Sequence, residues 1–138
     1  MHFPNGASDD FAKLAGQLPK REGYFDLYVH SNNRGTVLAQ LGADGKTVEV
    51  ADMLTIEKTL KAAGWDGKQP IRLISCRAGD PALGKQAAAQ QVADFFGVKV
   101  LAPTEDIVLF ENGAYVITNK AKVTPTTTPT GTWNEFGK

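Results

Sequence analysis

Pro70-Ile71-Arg72-Leu73-Ile74-Ser75-Cys76-Arg77-Ala78-Gly79 is an apolar run that opens at a proline and stops at the only cysteine of the chain. Aliphatic and β-branched residues between Pro and Gly read as a short strand buried on both faces. Cys76 then falls just past its carboxyl end, the edge where reactive groups gather in open α/β sheets because the loops diverge there. A second run, Tyr24-Phe25-Asp26-Leu27-Tyr28-Val29, is nearly continuous in apolar character, which suits an interior strand. It ends the same way, in His30. The reading turns on whether these two strand ends are neighbours.

Downstream, Asp80 and Pro81 form an N-cap and first-turn pair. The Ala- and Gln-rich stretch after them predicts a helix that buries Ala88, Val92, Phe95 and Phe96 and stops at Gly97. Val98 to Leu101 predicts the next strand, stopped by Pro103. Strand, helix and strand at this spacing imply a parallel pair with a right-handed crossover, its helix amino terminus directed at the Cys76 loop. Ile107 to Phe110 and Ala114 to Ile117 flank Glu111-Asn112-Gly113 and predict a hairpin at one edge of the sheet. Lys120 to Gly131 is Thr- and Pro-rich and reads as an extended, poorly ordered link. Trp133 and Phe136 follow it, and either dock back onto the domain or dangle.

Upstream, Phe11, Leu14, Ala15 and Leu18 share a helical face, with Ser8 or Asp9 as cap and Pro19 as stop. Ser31-Asn32-Asn33-Arg34-Gly35 is a loop of turn formers. Thr36 to Leu41 and Thr47 to Val50 predict a hairpin around Gly42-Ala43-Asp44-Gly45-Lys46. Asp52 caps a helix carrying Met53, Ile56, Leu60 and Ala63, ended by Gly64, and Trp65 to Gln69 reads as a surface turn. The expectation is one α/β domain over residues 1–138, with a mostly parallel central sheet, flanking helices and edge hairpins. Residues 1–22 form an N-terminal helical arm, and residues 120–132 link to the terminal aromatic segment.

Composition narrows the function classes. An apolar fraction of 42% and a charged fraction of 22% over 138 residues are those of one soluble globular domain. Acidic and basic residues number 15 each, so the basic surplus that replaces counterions on phosphates is missing and no nucleic acid is expected as partner. One cysteine forms no internal disulfide, no Cys/His cluster has zinc spacing, and Gly35, Gly79 and Gly84 do not make a dinucleotide fingerprint. No cofactor is expected. No apolar stretch approaches the ~20 residues of a membrane span, and the amino terminus lacks a signal-peptide layout, so an export address would lie elsewhere.

The constellation with chemistry in it is His30 with Cys76. A thiol attacks carbonyl carbon as thiolate, and a neighbouring imidazole that takes its proton and later protonates the leaving group is the usual partner. The Cys76 amide can contribute to an oxyanion site, and a nearby helix amino terminus favours thiolate. The plainer alternatives are a small buried hydrophobe for Cys76 and a hydrogen-bonded loop anchor for His30. Arg34, Arg72 and Arg77 are candidates for binding a carboxylate or phosphate, although Arg72 alternates with core residues and can pair on the sheet. Ser75 positions the loop or satisfies a strand end. Glu105 and Asp106 orient an imidazole or sit on a solvated loop.

Gly23-Tyr-Phe-Asp-Leu-Tyr-Val-His30, Pro70-Ile-Arg-Leu-Ile-Ser-Cys-Arg-Ala-Gly79, Val98-Lys-Val-Leu-Ala-Pro-Thr104 and Trp133-Asn-Glu-Phe136 together resemble the carboxyl-terminal domains of bacterial polymorphic toxins carried by YD-repeat, filamentous and WXG-type proteins. That resemblance implies a toxin module used in interbacterial competition, secreted within a larger polypeptide and neutralised by a cognate immunity protein. The strand-His and strand-Cys order also resembles the caspase-like cysteine peptidases, which implies Cys76 as nucleophile, His30 as base and an amide after the His as oxyanion donor. Ser31 stands where that group usually has Gly. The leading expectation is a cysteine-dependent hydrolase with Cys76, His30 and Ser31 as catalytic residues and Arg34, Ser75 and Arg77 facing substrate, a target-cell protein or another small substrate. The alternatives are a non-catalytic binding or delivery module and a toxin of another enzymatic class, such as a nuclease.

Overall fold

The chain folds around strand β4 (Ile71–Ile74), whose four residues are all buried. A computed structural model describes residues 14, 17–19, 21–29, 31, 35–36, 38–41 and 48–137. The helix expected around Phe11 and Ala15, the residues His30 and Arg34, and the Gly42–Lys46 turn lie outside the described residues. In chain order the remaining elements are β1 (Phe25–Tyr28), β2 (Ala39–Leu41), β3 (Val48–Val50), α1 (Met53–Ala62), α2 (Ala88–Phe96), β5 (Val100–Pro103), β6 (Asp106–Leu109), β7 (Tyr115–Thr118) and β8 (Trp133–Phe136).

The central sheet has four strands in the order β1-β4-β5-β8. β1 and β4 are parallel, with Phe25 opposite Ile71 and Tyr28 opposite Ile74, and β4 and β5 are parallel. β8 runs antiparallel to β5, from Val100 opposite Phe136 to Pro103 opposite Trp133. The protein is thus α/β with a mixed sheet, which corrects the expectation of a mostly parallel one. The reason is the terminal aromatic segment: it docks back as a full edge strand, and the chain reaches that edge from the opposite direction.

Alternation along the strands gives the sheet two unlike faces. Leu27, Val29, Ile71, Leu73, Val100 and Ala102 point to the helix side, where they meet Ile56 and Leu60 of α1 and Val92 of α2 in one apolar cluster. Ile74 points the other way, towards Leu18, Ile107 and Ile117 in a smaller cluster. β6 and β7 form a separate two-stranded antiparallel sheet over that second face, not an edge extension of the main one. The β2–β3 pair is likewise a separate ribbon, as the hairpin reading expects.

Both predicted caps are present, with Asp52 accepting from the Leu54 amide at 3.1 Å and Asp80 from the Ala82 amide at 2.9 Å. Asp80 does not start the long helix, however. Pro81–Gln86 is a 3-10 segment broken at Gly84, whose φ of 57° and ψ of −127° leave the helical region, and α2 begins only at Ala88. Its buried positions are Ala88, Ala89, Val92 and Ala93, whereas Phe95 is 47% exposed. The β5 strand lies two residues later than the sequence suggests and includes Pro103, which pairs with Trp133 of β8 alone; the ladder to β4 ends at Arg72 opposite Leu101, as a residue without an N–H requires.

Trp65 departs furthest from expectation. It is buried rather than in a surface turn, donates its indole N–H to the Gln69 carbonyl at 3.0 Å, and meets Phe96 edge-on at 5.2 Å between centroids. The Thr/Pro-rich link is a strap held by its own hydroxyls: Thr127 accepts from the Thr124 amide, and Thr130 donates to Glu105 at 2.6 Å.

Candidate functional site

The parallel register of β1 and β4 makes their carboxyl ends level, and the Val29 amide extends the pairing by donating to the Ile74 carbonyl at 3.2 Å. The chain after each end is tied to the other. Ser31 donates its hydroxyl to the Cys76 carbonyl at 2.6 Å. The neighbours sought in the sequence are therefore adjacent strands, with Ser31 and Cys76 in direct contact.

Cys76 itself is half-buried and packs against the smaller apolar cluster beneath the β6–β7 hairpin. Its Sγ donates to the Ile107 carbonyl at 3.6 Å. Burial pushes the thiol above its ordinary pKa, and the Asp106 carboxylate adds to that while Arg77 opposes it. The group rests as a thiol. The helix terminus expected to favour thiolate is occupied elsewhere, because the Ala88 amide donates to the Gly35 carbonyl and the Ala89 amide to the Ala78 carbonyl, both at 2.9 Å.

The turn after Cys76 is tightly specified. Arg77 takes a left-handed φ of 57°, and its amide donates to the Glu105 carbonyl at 3.0 Å. Gly79 lies so close to β5 that a Cβ there would meet the Ala102 carbonyl oxygen at 2.5 Å, and its own amide donates to the Pro103 carbonyl at 2.8 Å. Gly35 approaches the Arg77 carbonyl just as closely. The amides of Ala78 and Asp80 are used within the turn, by the Ser75 and Arg77 carbonyls. Among the described residues this leaves the Cys76 amide as the one in the turn with no acceptor, the condition an oxyanion donor must meet.

The other candidates separate. Arg77 extends to Asp106, with Nε to Oδ1 at 3.2 Å, so its charge is already matched at the rim of the site. Ser75 is fully buried and its hydroxyl has no partner among the described residues, so it lies beneath the turn. Glu105 accepts from Thr130. Among the described residues no group of three His, Cys, Asp or Glu side chains is placed to hold a metal ion.

Sequence reasoning missed the hairpin's part in the site, in which the Ile107 carbonyl accepts from the thiol and Asp106 holds Arg77. It also left Asp26 unremarked. Arg72, 5% exposed, makes a forked pair with that carboxylate at 2.7 and 2.8 Å, donates to the Pro19 carbonyl at 3.1 Å, and lies under the Trp133 ring. The signal was available, since Asp26 and Arg72 are each the second residue of an apolar strand and sit opposite each other in the register.

One family profile, described as a Domain of unknown function (DUF8616), matches residues 2–117. No curated protein and no solved structure matches the chain. The match spans most of the sequence, and the chain belongs to the DUF8616 family.

Proposed function

We propose that this member of DUF8616 is the effector domain of a secreted toxin and acts as a cysteine-dependent hydrolase of the peptidase type, on a caspase-like version of the α/β fold. The observation that carries the reading is the level, parallel β1–β4 pair whose following segments are joined by the Ser31–Cys76 hydrogen bond. His30 and Cys76 follow these two neighbouring strands in the sequence, the order the caspase-like peptidases share. The residue-level resemblance to polymorphic toxin domains supports delivery within a larger polypeptide and neutralisation by an immunity protein.

The chemistry follows from the resting thiol. Because burial disfavours the thiolate, attack requires a base, and His30 takes the Sγ proton as the sulfur bonds to a substrate acyl carbon. The carbonyl π electrons move onto oxygen, where the Cys76 amide, without an acceptor among the described residues, donates. The imidazolium then returns its proton to the departing group. Water, deprotonated by His30, cleaves the resulting thioester and restores the thiol.

Two measurements test the reading. Cys76→Ala abolishes toxicity and hydrolysis while keeping the fold. Iodoacetamide modifies wild-type Cys76 at neutral pH through a limb that His30→Ala lacks. A rate identical in both proteins, rising only above the ~8.5 of a free thiol, removes the dyad. The half-buried, carbonyl-bonded thiol favours a second reading in that event, a non-catalytic binding module in which Cys76 is packing.

A further inference from the structure

The family match ends at residue 117, inside β7, yet the edge of the main sheet within that match is completed by β8, which lies outside it. The segment from Thr130 to Phe136 is seated as an extended peptide in a series of side-chain sockets. Gly131 passes where a Cβ would meet Glu105, Ile117 and Thr104 side-chain atoms, each at 2.8 Å. Thr132 exchanges hydrogen bonds with Thr104, its carbonyl accepting from the Thr104 amide and its amide donating to the Thr104 hydroxyl. Trp133 donates to the Tyr115 hydroxyl at 3.0 Å, and Asn134 donates to the Gly79 carbonyl at 3.3 Å. Glu135 meets Lys99 at 3.8 Å, and Phe136 enters the helix-side core at 9% exposure.

We infer that the β5 edge is a strand-accepting site for an extended peptide of the pattern Thr-Gly-Thr-Trp-Asn-Glu-Phe, and that the chain's own tail is its resident occupant. Ladder bonds supply affinity in such pairing, and sockets for alternate side chains supply selectivity. The side chains of Glu105, Ile117 and Thr104 that crowd Gly131, the Gly79 carbonyl that accepts from Asn134, the Lys99 cation and the core residues around Phe136 all lie on the acceptor side. A partner segment carrying this pattern fits the same edge. Because Gly79 belongs to the turn that follows Cys76, exchange of the strand also releases Asn134 from that turn.

The test uses the full-length chain and a labelled peptide of residues 130–137, followed by fluorescence anisotropy. The unmodified chain binds the peptide weakly, because its own tail competes at an effective concentration on the order of millimolar. A full-length Phe136→Ser chain, whose tail has lost its core anchor, binds the same peptide about tenfold more tightly. A peptide carrying Gly131→Ala loses about tenfold, as the steric filter demands. Absence of binding by both chains, or binding that the Gly131→Ala peptide retains, overturns the inference. Should Phe136→Ser fail to fold, hydrogen exchange on the unmodified chain decides: the amides of Asn134 and Phe136, the β8 positions that face β5, exchange about tenfold faster than those of Leu73 and Ile74 if the strand is exchangeable, and equal rates overturn it.

Discussion

The two faces of the central sheet are built on different principles. On the helix side the strands present apolar residues, with Phe25 and Phe136 at the flanks, and Leu27, Ile71, Leu73 and Val100 are fully buried against Ile56, Leu60 and Val92. On the hairpin side the same strands present Asp26, Arg72, Ile74 and then Cys76, covered by a small ribbon in a cluster whose buried apolar members besides Ile74 are Leu18, Ile107 and Ile117, with Tyr28, Leu109 and Trp133 partly buried around it. One face supplies burial and tolerates no charge. The other buries a charge pair and a thiol, holds them by specific hydrogen bonds, and carries the candidate chemistry. Substitutions that treat the two faces alike sharpen the contrast.

The largest effect belongs to the helix side. Leu73→Ala removes a fully buried side chain from the main cluster, and about 3 kcal/mol of stability goes with it. Ile74→Ala, one residue on and equally buried, costs less, because the smaller cluster has fewer walls to leave unsupported. Urea unfolding of the two variants measures both. Equal losses break the contrast between the faces.

Arg72→Ala tests what holds the hairpin side. It leaves Asp26 without its forked partner, and the loss is about 3 kcal/mol, the low end for a broken buried pair. The Asp26 side chain keeps 22% exposure, so water takes up part of its charge. Replacing both, as Arg72→Met with Asp26→Leu, recovers most of that loss, because the desolvation of two charges disappears with them. A double variant no more stable than Arg72→Ala shows instead that the pair is a net stabiliser.

These contrasts also explain what was legible beforehand. Periodicity and caps reveal the helix side, since its burial is set by local pattern: the strand at Ile71–Ile74, its β1 neighbour, and the caps Asp52 and Asp80 all follow from residues close in sequence. The misses depend on partners far along the chain. Trp65 is buried because Phe96 lies beside it, β8 is antiparallel because the strap brings it back, and the thiol rests protonated because a hairpin some thirty residues away covers it. Gly84 breaks the helix through a local conformation that composition permits but does not demand. Of the candidate site, adjacency of the two strands was readable from order. The hydrogen bonding of the Cys76 turn was not.

Trp65→Phe gives a smaller, local effect on the helix side. The ring keeps its edge contact with Phe96 and loses the bond to the Gln69 carbonyl, which costs about 1 kcal/mol. Asp66, whose carboxylate caps the same turn, accepts from the Lys68 and Gln69 amides, both at 2.8 Å. The turn therefore keeps its shape, and urea unfolding reads the indole bond alone. A loss several times larger would mean that Trp65 holds the turn and the helix end together.

The smallest effect returns to the thiol and is read against pH. In the folded protein the Cys76 pKa is raised, first by burial and then by Asp106. Below the value of the unfolded thiol, about 8.5, both states keep the proton and the contribution of Cys76 to stability is constant. As pH rises past that value the unfolded chain loses its proton first, so stability falls until the folded thiol itself titrates. Cys76→Ala lacks this fall. The difference between the urea midpoints of wild type and variant is therefore flat at neutral pH and shrinks towards about pH 10, to the disadvantage of wild type. A difference that grows with pH would place the thiolate in a favourable site and reverse the contrast between a thiol buried under the hairpin and an exposed one.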